Sequence, residues 1–105
     1  MSVKQEEDKT ELVSFTRKEF LILLNSNQSG DKGLQVPYCN FQNLDFRSLN
    51  LEKVNFRGCN LSNCNFEQAI LTSANFDEAK CCGANFKQAI LKKVCIHKIC
   101  NFFYL

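Results

Sequence analysis

The 105-residue sequence predicts an all-β solenoid, a stacked coil of short extended steps with a small α-helix at its N-terminal end. Three observations lead there. Every fifth residue from Val36 is apolar: Val36, Phe41, Phe46, Leu51, Phe56, Leu61, Phe66, Leu71, Phe76, Cys81, Phe86, Leu91 and Ile96. Two places before each, from Cys39 onward, stands a second apolar set, Cys39, Leu44, Leu49, Val54, Cys59, Cys64, Ala69, Ala74, Ala79, Ala84, Ala89 and Val94, and Ile99 continues it at the same interval. Identities within the first set recur at twenty, as in Phe46, Phe66, Phe86 and in Leu51, Leu71, Leu91.

A period of five fits neither the 3.6 of a helix nor the 2.0 of a long strand. It fits an extended step followed by a corner. Residues two apart on such a step point to one side, here the interior, and the polar residues that follow turn the chain. Successive coils then stack about 4.8 Å apart. At a separation of 15, one of ten central pairs is identical; at 20, five of nine are. Four sides of five residues each are expected.

The N-terminal unit, residues 1–33, comprises a charged tail and a helix. Met1 to Glu11 has no apolar core, so no secretory signal peptide is expected. Thr16-Arg17-Lys18-Glu19 fits a capping box, with Phe15 and Phe20 at the two positions of a hydrophobic staple. Phe20, Leu21, Leu23 and Leu24 form one apolar face, and Asn25 to Gly30 ends the helix. About ten residues of helix are marginal alone, so this one is expected to dock on the first coil.

The repeats occupy 34–100. Outward columns at a spacing of twenty read Arg47, Glu67, Lys87 and Arg57, Asp77, His97, and their alternating signs predict attraction between coils. Ile70 and Ile90 share an outward column and are candidate partner contacts. Residues 101–105, Asn101-Phe102-Phe103-Tyr104-Leu105, break the register. They offer a plug for the last coil, a homodimer contact, or continuation into a longer chain.

Composition narrows the chemistry. Thirteen basic and eleven acidic residues leave a net charge of +2, and no apolar run approaches the roughly 20 residues of a membrane span. One histidine leaves little material for general-base catalysis. Of the seven cysteines, Cys39, Cys59 and Cys64 fall at small inward positions and Cys81 at a large one, where they act as small hydrophobes. Cys39 and Cys59, one coil apart, are near enough for an oxidation artefact. Cys95 and Cys100 with His97 and Cys82 are poor zinc ligands, because equivalent corners diverge. No catalytic residue, metal site, cofactor site or glycine-rich phosphate loop is expected. Between Leu34 and Ala79 stand three basic and five acidic residues; from Lys80 onward there are five lysines and no acid. Lys92, Lys93, His97 and Lys98 are therefore candidate contacts for an acidic partner.

The units Cys39-Asn40-Phe41, Cys59-Asn60-Leu61, Cys64-Asn65-Phe66, Ala74-Asn75-Phe76 and Ala84-Asn85-Phe86 resemble the A(D/N)LXX unit of pentapeptide-repeat proteins. Ile70, Ile90, Cys95 and Cys100 depart from the Asp or Asn of that pattern, and Cys81 from its Leu or Phe. The resemblance implies a right-handed quadrilateral β-helix and a non-enzymatic, cytoplasmic scaffold that binds a protein partner. The segment Phe15 to Leu24 resembles the one that precedes the repeats in a KCTD-type BTB family member, which implies substrate recognition for a ubiquitin-ligase adaptor. The alternative within the family, a DNA-mimic inhibitor of a type II topoisomerase, needs a strongly negative face that a net +2 does not supply. Direct nucleic-acid binding lacks exposed interleaved aromatics, since the phenylalanines are assigned to the core.

Overall fold

The computed structural model describes residues 13–26 and 32–97. Its elements in chain order are β1 (Val13–Ser14), α1 (Arg17–Ser26) and β2 (Cys39–Asn40), followed by sides too short to form strands. Each of these sides bonds to the next coil through a single parallel bridge: Gln35 to Asn55, Asp45 to Asn65, Asn50 to Ile70, and so on to Asn75 with Cys95. Every such bridge spans twenty residues, so a coil has four five-residue sides. Backbone bonds interlock above and below. Phe46 N donates to Asn65 O at 2.7 Å, and Asn65 N donates back to Leu44 O at 3.0 Å.

The corners explain why five residues suffice. Every fifth residue from Gly33 to Lys93 has positive φ, between 56° and 82°, and ten of these thirteen are not glycine. In the corners from Phe41 to Leu91 the first inward residue accepts from the amide three places on, as in Leu44 N to Phe41 O at 3.1 Å. Positive φ confined to the third residue of such a turn is the type II pattern. A non-glycine corner costs on the order of 1 kcal/mol, which the stacked bonds and buried core must offset. At Gly58 the absence of a Cβ has a further use, because the Tyr38 ring lies over it and a Cβ would come within 2.3 Å of that ring.

The interior is the two apolar sets of the sequence. Phe41, Phe46, Phe56, Phe66, Phe76 and Phe86 are buried with Leu51, Leu61 and Leu71. Phe46 stacks on Phe66 at 4.9 Å between centroids with planes 11° apart, and Phe66 on Phe86 at 5.0 Å and 4°. Phe56 sits 5.3 Å from Phe76 in the opposite column. Val54, Cys59, Cys64, Ala69, Ala74, Ala79 and Ala84 fill the narrow inward positions. Their small size lets rings from opposite sides interleave: Phe66 and Phe76 meet at 70° and 5.7 Å. The pattern loosens in the last described coil. Leu91 is half-buried and Ile96 is 43 % exposed, although the periodicity places both inside. No described coil stacks above Ile96, so its inward position is not enclosed.

At the other end α1 closes the coil. Thr16 N donates to Glu19 Oε1 at 2.8 Å while Glu19 N donates to Thr16 Oγ1 at 3.2 Å, the capping box the sequence predicts. Phe20 is fully buried, edge-on to Phe41 and Phe46, and Phe15 meets Phe41 at 5.5 Å. The two staple positions therefore grip the first coil through a shared ring. Leu23 and Leu24 pack alongside, and Ile22 is exposed. Two contacts go beyond the sequence reading. β1 pairs in parallel with β2, Val13 opposite Cys39 and Ser14 opposite Asn40. Arg17 Nη1 donates to the Asp45 carbonyl and lies 4.0 Å from the Asp45 carboxylate, tying the helix start to a first-coil side.

Candidate functional site

With the interior filled by apolar side chains and no polar residue buried among the described residues, chemistry is left to the outer faces. Each side points one residue outward, the one before its central apolar residue. On most sides it is Asn or Asp, and it has a structural task. Asn65 Oδ1 accepts from the Glu67 amide at 2.9 Å, Asn75 Oδ1 from Asp77 at 2.8 Å and Asn85 Oδ1 from Lys87 at 2.9 Å. Asp45 does the same for Arg47 at 2.9 Å. Among the described residues eight corners are held this way. The outward Asn is therefore an Asx cap, stabilising the corner that follows it.

Ile70, Lys80, Ile90 and Cys95 have no side-chain oxygen to offer. The His97 amide, which follows Cys95, finds Asp77 Oδ1 from the coil below at 2.8 Å. Ile70 and Ile90 are paired by a parallel bridge on one face, directly in line with Asn50. Ile70 is half-buried and Ile90 is 49 % exposed. Lys92 and Lys93 form the corner that follows Ile90, both exposed, so the structure gathers four of the candidate contacts on one face. Lys87, which the sequence reading did not select, stands exposed on the corner before Ile90. His97 does not join this group. It lies one side further round, on the corner of Pro37-Tyr38, Arg57-Gly58 and Asp77-Glu78. Lys98 lies outside the described residues, as do Cys100 and the apolar segment 101–105.

The predicted ion-pair columns are corrected by the geometry. Arg47 pairs with Asp45 on its own corner at 3.5 Å and not with Glu67, and Arg57 pairs diagonally with Glu78 at 3.4 Å and not with Asp77. Asp45 is two residues from Arg47 and already turned toward the corner by its Asx bond, while the Asp77 carboxylate is taken by the His97 amide. Tyr38, then Glu78, push the Arg57 guanidinium up from its ordinary value by their charges and hydrogen bonds. Vertical bonds between coils are carried by amides, Asn55 Nδ2 to Gln35 Oε1 at 2.8 Å and Gln68 Nε2 to Gln88 Oε1 at 3.3 Å.

The thiols follow the inward pattern. Cys59 Sγ donates to Val36 O at 3.0 Å and Cys64 Sγ to Phe41 O at 2.9 Å, and burial pushes both up to about 12. Such thiols are poor nucleophiles at neutral pH. Burial also raises the half-buried Cys39, which with Cys59 remains a free thiol. Cys82 and Cys95 are exposed, and among the described residues no three His, Cys, Asp or Glu side chains converge on a metal position. No helix of the described residues is long and apolar enough to cross a membrane.

Comparison with known proteins agrees with this geometry. The family model for pentapeptide repeats matches in eight copies, over residues 39–77 and 69–100. A pentapeptide repeat protein (Rfr23) from the cyanobacterium Cyanothece 51142 is similar in structure, with a TM-score of 0.52 and 23 % identity. The match covers 63 % of this chain and 59 % of that one, so the chain spans less than two thirds of that protein's length. The structure of alr5209, a pentapeptide repeat protein from Nostoc Pcc 7120, matches over 89 % of this chain and 92 % of its own, with a TM-score of 0.48 and 25 % identity. None of the curated proteins matches. A register of twenty, left-handed corners at every fifth residue and the family model over most of the coil lead to one conclusion: this chain belongs to the pentapeptide repeat family.

Proposed function

We propose that the protein is a non-enzymatic scaffold, a right-handed quadrilateral β-helix whose face bearing Ile70, Ile90, Lys92 and Lys93 binds a protein partner in the cytoplasm. The handedness follows family likeness. The observation that carries the binding face is the stacked pair Ile70 and Ile90, standing where other sides place a corner-capping Asn or Asp. Losing an Asx bond forgoes on the order of 1 kcal/mol at each corner. Two adjacent coils make the same exchange on the same face, in favour of exposed apolar surface. Local rules broken without structural gain mark surfaces selected for something else. The buried, un-ionised thiols suit a reducing compartment.

The finer role, substrate recognition within a ubiquitin-ligase adaptor, rests on the resemblance of Phe15 to Leu24. In that reading the repeats supply only a recognition face, and the protein they hold is the ligase substrate.

Affinity capture with quantitative mass spectrometry tests the reading. The control variant is Ile70→Asp with Ile90→Asp, because Asp45 shows that aspartate caps a corner and the coil is retained. Specific proteins held by the natural chain should be lost from this variant, whose melting temperature should be no lower than that of the natural chain. Equal capture by both would overturn the assigned face.

A further inference from the structure

Charge around the upper end of the isoleucine face constrains what can lie on it. Ile90 is 49 % exposed and stands between a corner carrying Lys87 and a corner carrying Lys92 and Lys93. None of these three lysines has a carboxylate partner among the described residues, and no acidic residue occurs from Lys80 to His97. One coil below, the flanking corners are Glu67-Gln68 and Thr72-Ser73; two below, they are Arg47-Ser48 and Glu52-Lys53. The face thus carries a single carboxylate, Glu67, at the level of Ile70, mixed charge one coil lower, and only cations on both margins at its top.

We propose, building on the scaffold reading, that the occupant is a protein segment of acidic and apolar side chains. Its apolar groups lie on Ile70 and Ile90, and carboxylates on either side of them reach Lys87 on one margin and Lys92 and Lys93 on the other. Complementary charge of this kind chooses the partner and speeds its arrival, while the apolar strip supplies contact that salt does not screen. A basic segment would be repelled at both margins. A nucleic acid would meet the lysines but would have to lay phosphates or bases over bare isoleucine with no aromatic ring on that face to stack on.

The corner positions allow a charge reversal without disturbing the coil. Glu52 already occupies the position of Lys92 in another coil, and Glu78 adopts positive φ at the position of Lys93. The test uses the full chain and three labelled probes: a short peptide with leucines set between glutamates, its counterpart with lysine replacing each glutamate, and a single-stranded DNA oligonucleotide. Binding is read by fluorescence anisotropy, with amide chemical shifts locating the contact. The acidic peptide should bind in preference to both other probes, weaken in high salt, and shift the amides of Ile70, Ile90 and Lys92. Lys92→Glu with Lys93→Glu should lower its affinity about tenfold or more and turn the preference toward the lysine peptide. Equal binding of the two peptides, a stronger DNA complex, or an unchanged preference after charge reversal would each overturn the inference. The scaffold reading fails separately: it falls if cellular capture is unaffected by the two aspartate substitutions. It survives, and the acidic partner alone is excluded, if capture needs the isoleucines but ignores the charge reversal.

Discussion

Two adjacent faces of the same coil are built to different rules. On one, the outward residues are Asp45, Asn65 and Asn85, and each caps the corner that follows. On the next they are Asn50, Ile70 and Ile90, and only Asn50 caps. The inward residues of the two faces are equivalent: stacked Phe46, Phe66, Phe86 on the first and Leu51, Leu71, Leu91 on the second. The core is therefore indifferent to what the outward position holds. That indifference frees the outer surface to vary, and a break in the Asn pattern is informative because the interior did not require it.

The largest effect expected concerns what the two faces share. Phe66→Ala removes the middle ring of the stacked column and should destabilise the protein by about 3–5 kcal/mol. An unchanged thermal melt would mean that the column does not hold the coil together. Next comes alkaline unfolding. Burial holds Cys59 and Cys64 as neutral thiols up to about 12, whereas in the unfolded chain they ionise near about 8.5. Their contribution is intact below the lower value and declines as pH rises between the two, since the unfolded chain is then the one that has shed protons. Cys59→Ala with Cys64→Ala, matching the alanines of later coils, should flatten the fall in urea midpoint between neutral pH and about pH 10. Parallel pH profiles for the two proteins would show that the thiols are not desolvated.

Smaller effects separate the faces directly. Asn65→Ala, which strips the Asx cap from the Glu67 amide, should cost about 1 kcal/mol in chemical denaturation. Ile70→Asn should do the reverse, adding a cap at the Thr72 amide and stabilising by about 0.5 kcal/mol. Matching signs for these two substitutions would abolish the distinction between a structural and a binding face. Thr16→Ala, at the helix cap, should cost about 1 kcal/mol, and an identical denaturation midpoint would show that α1 contributes nothing to closing the coil.

Much of this was legible from spacing. The five-residue period placed Phe46, Phe66 and Phe86 in one buried column, because burial is a property of every turn and leaves its mark in every repeat. Thr16 and Glu19 announced the capping box through residue types alone. The candidate face was half legible: Ile70 and Ile90 stand out as departures, but that Asn at the same position caps a corner is visible only as a bond. Ion pairs were misread because spacing gives the column and not the direction of a long side chain. Arg47 turns to the carboxylate on its own corner, and Arg57 to the diagonal one.

Chain order alone determined the period, the four-sided cross-section, the occupants of the interior and the capping helix, since each depends on which residue type recurs at which interval. Tertiary structure decided the rest. It set left-handed corners on residues such as Tyr38 and Glu78 that do not favour them, paired β1 with β2, anchored Arg17 on Asp45, and left Ile96 outside the enclosed core. The reason is the same throughout: these features depend on what the neighbouring coil supplies twenty residues away, and a local pattern contains no record of that neighbour's bonds.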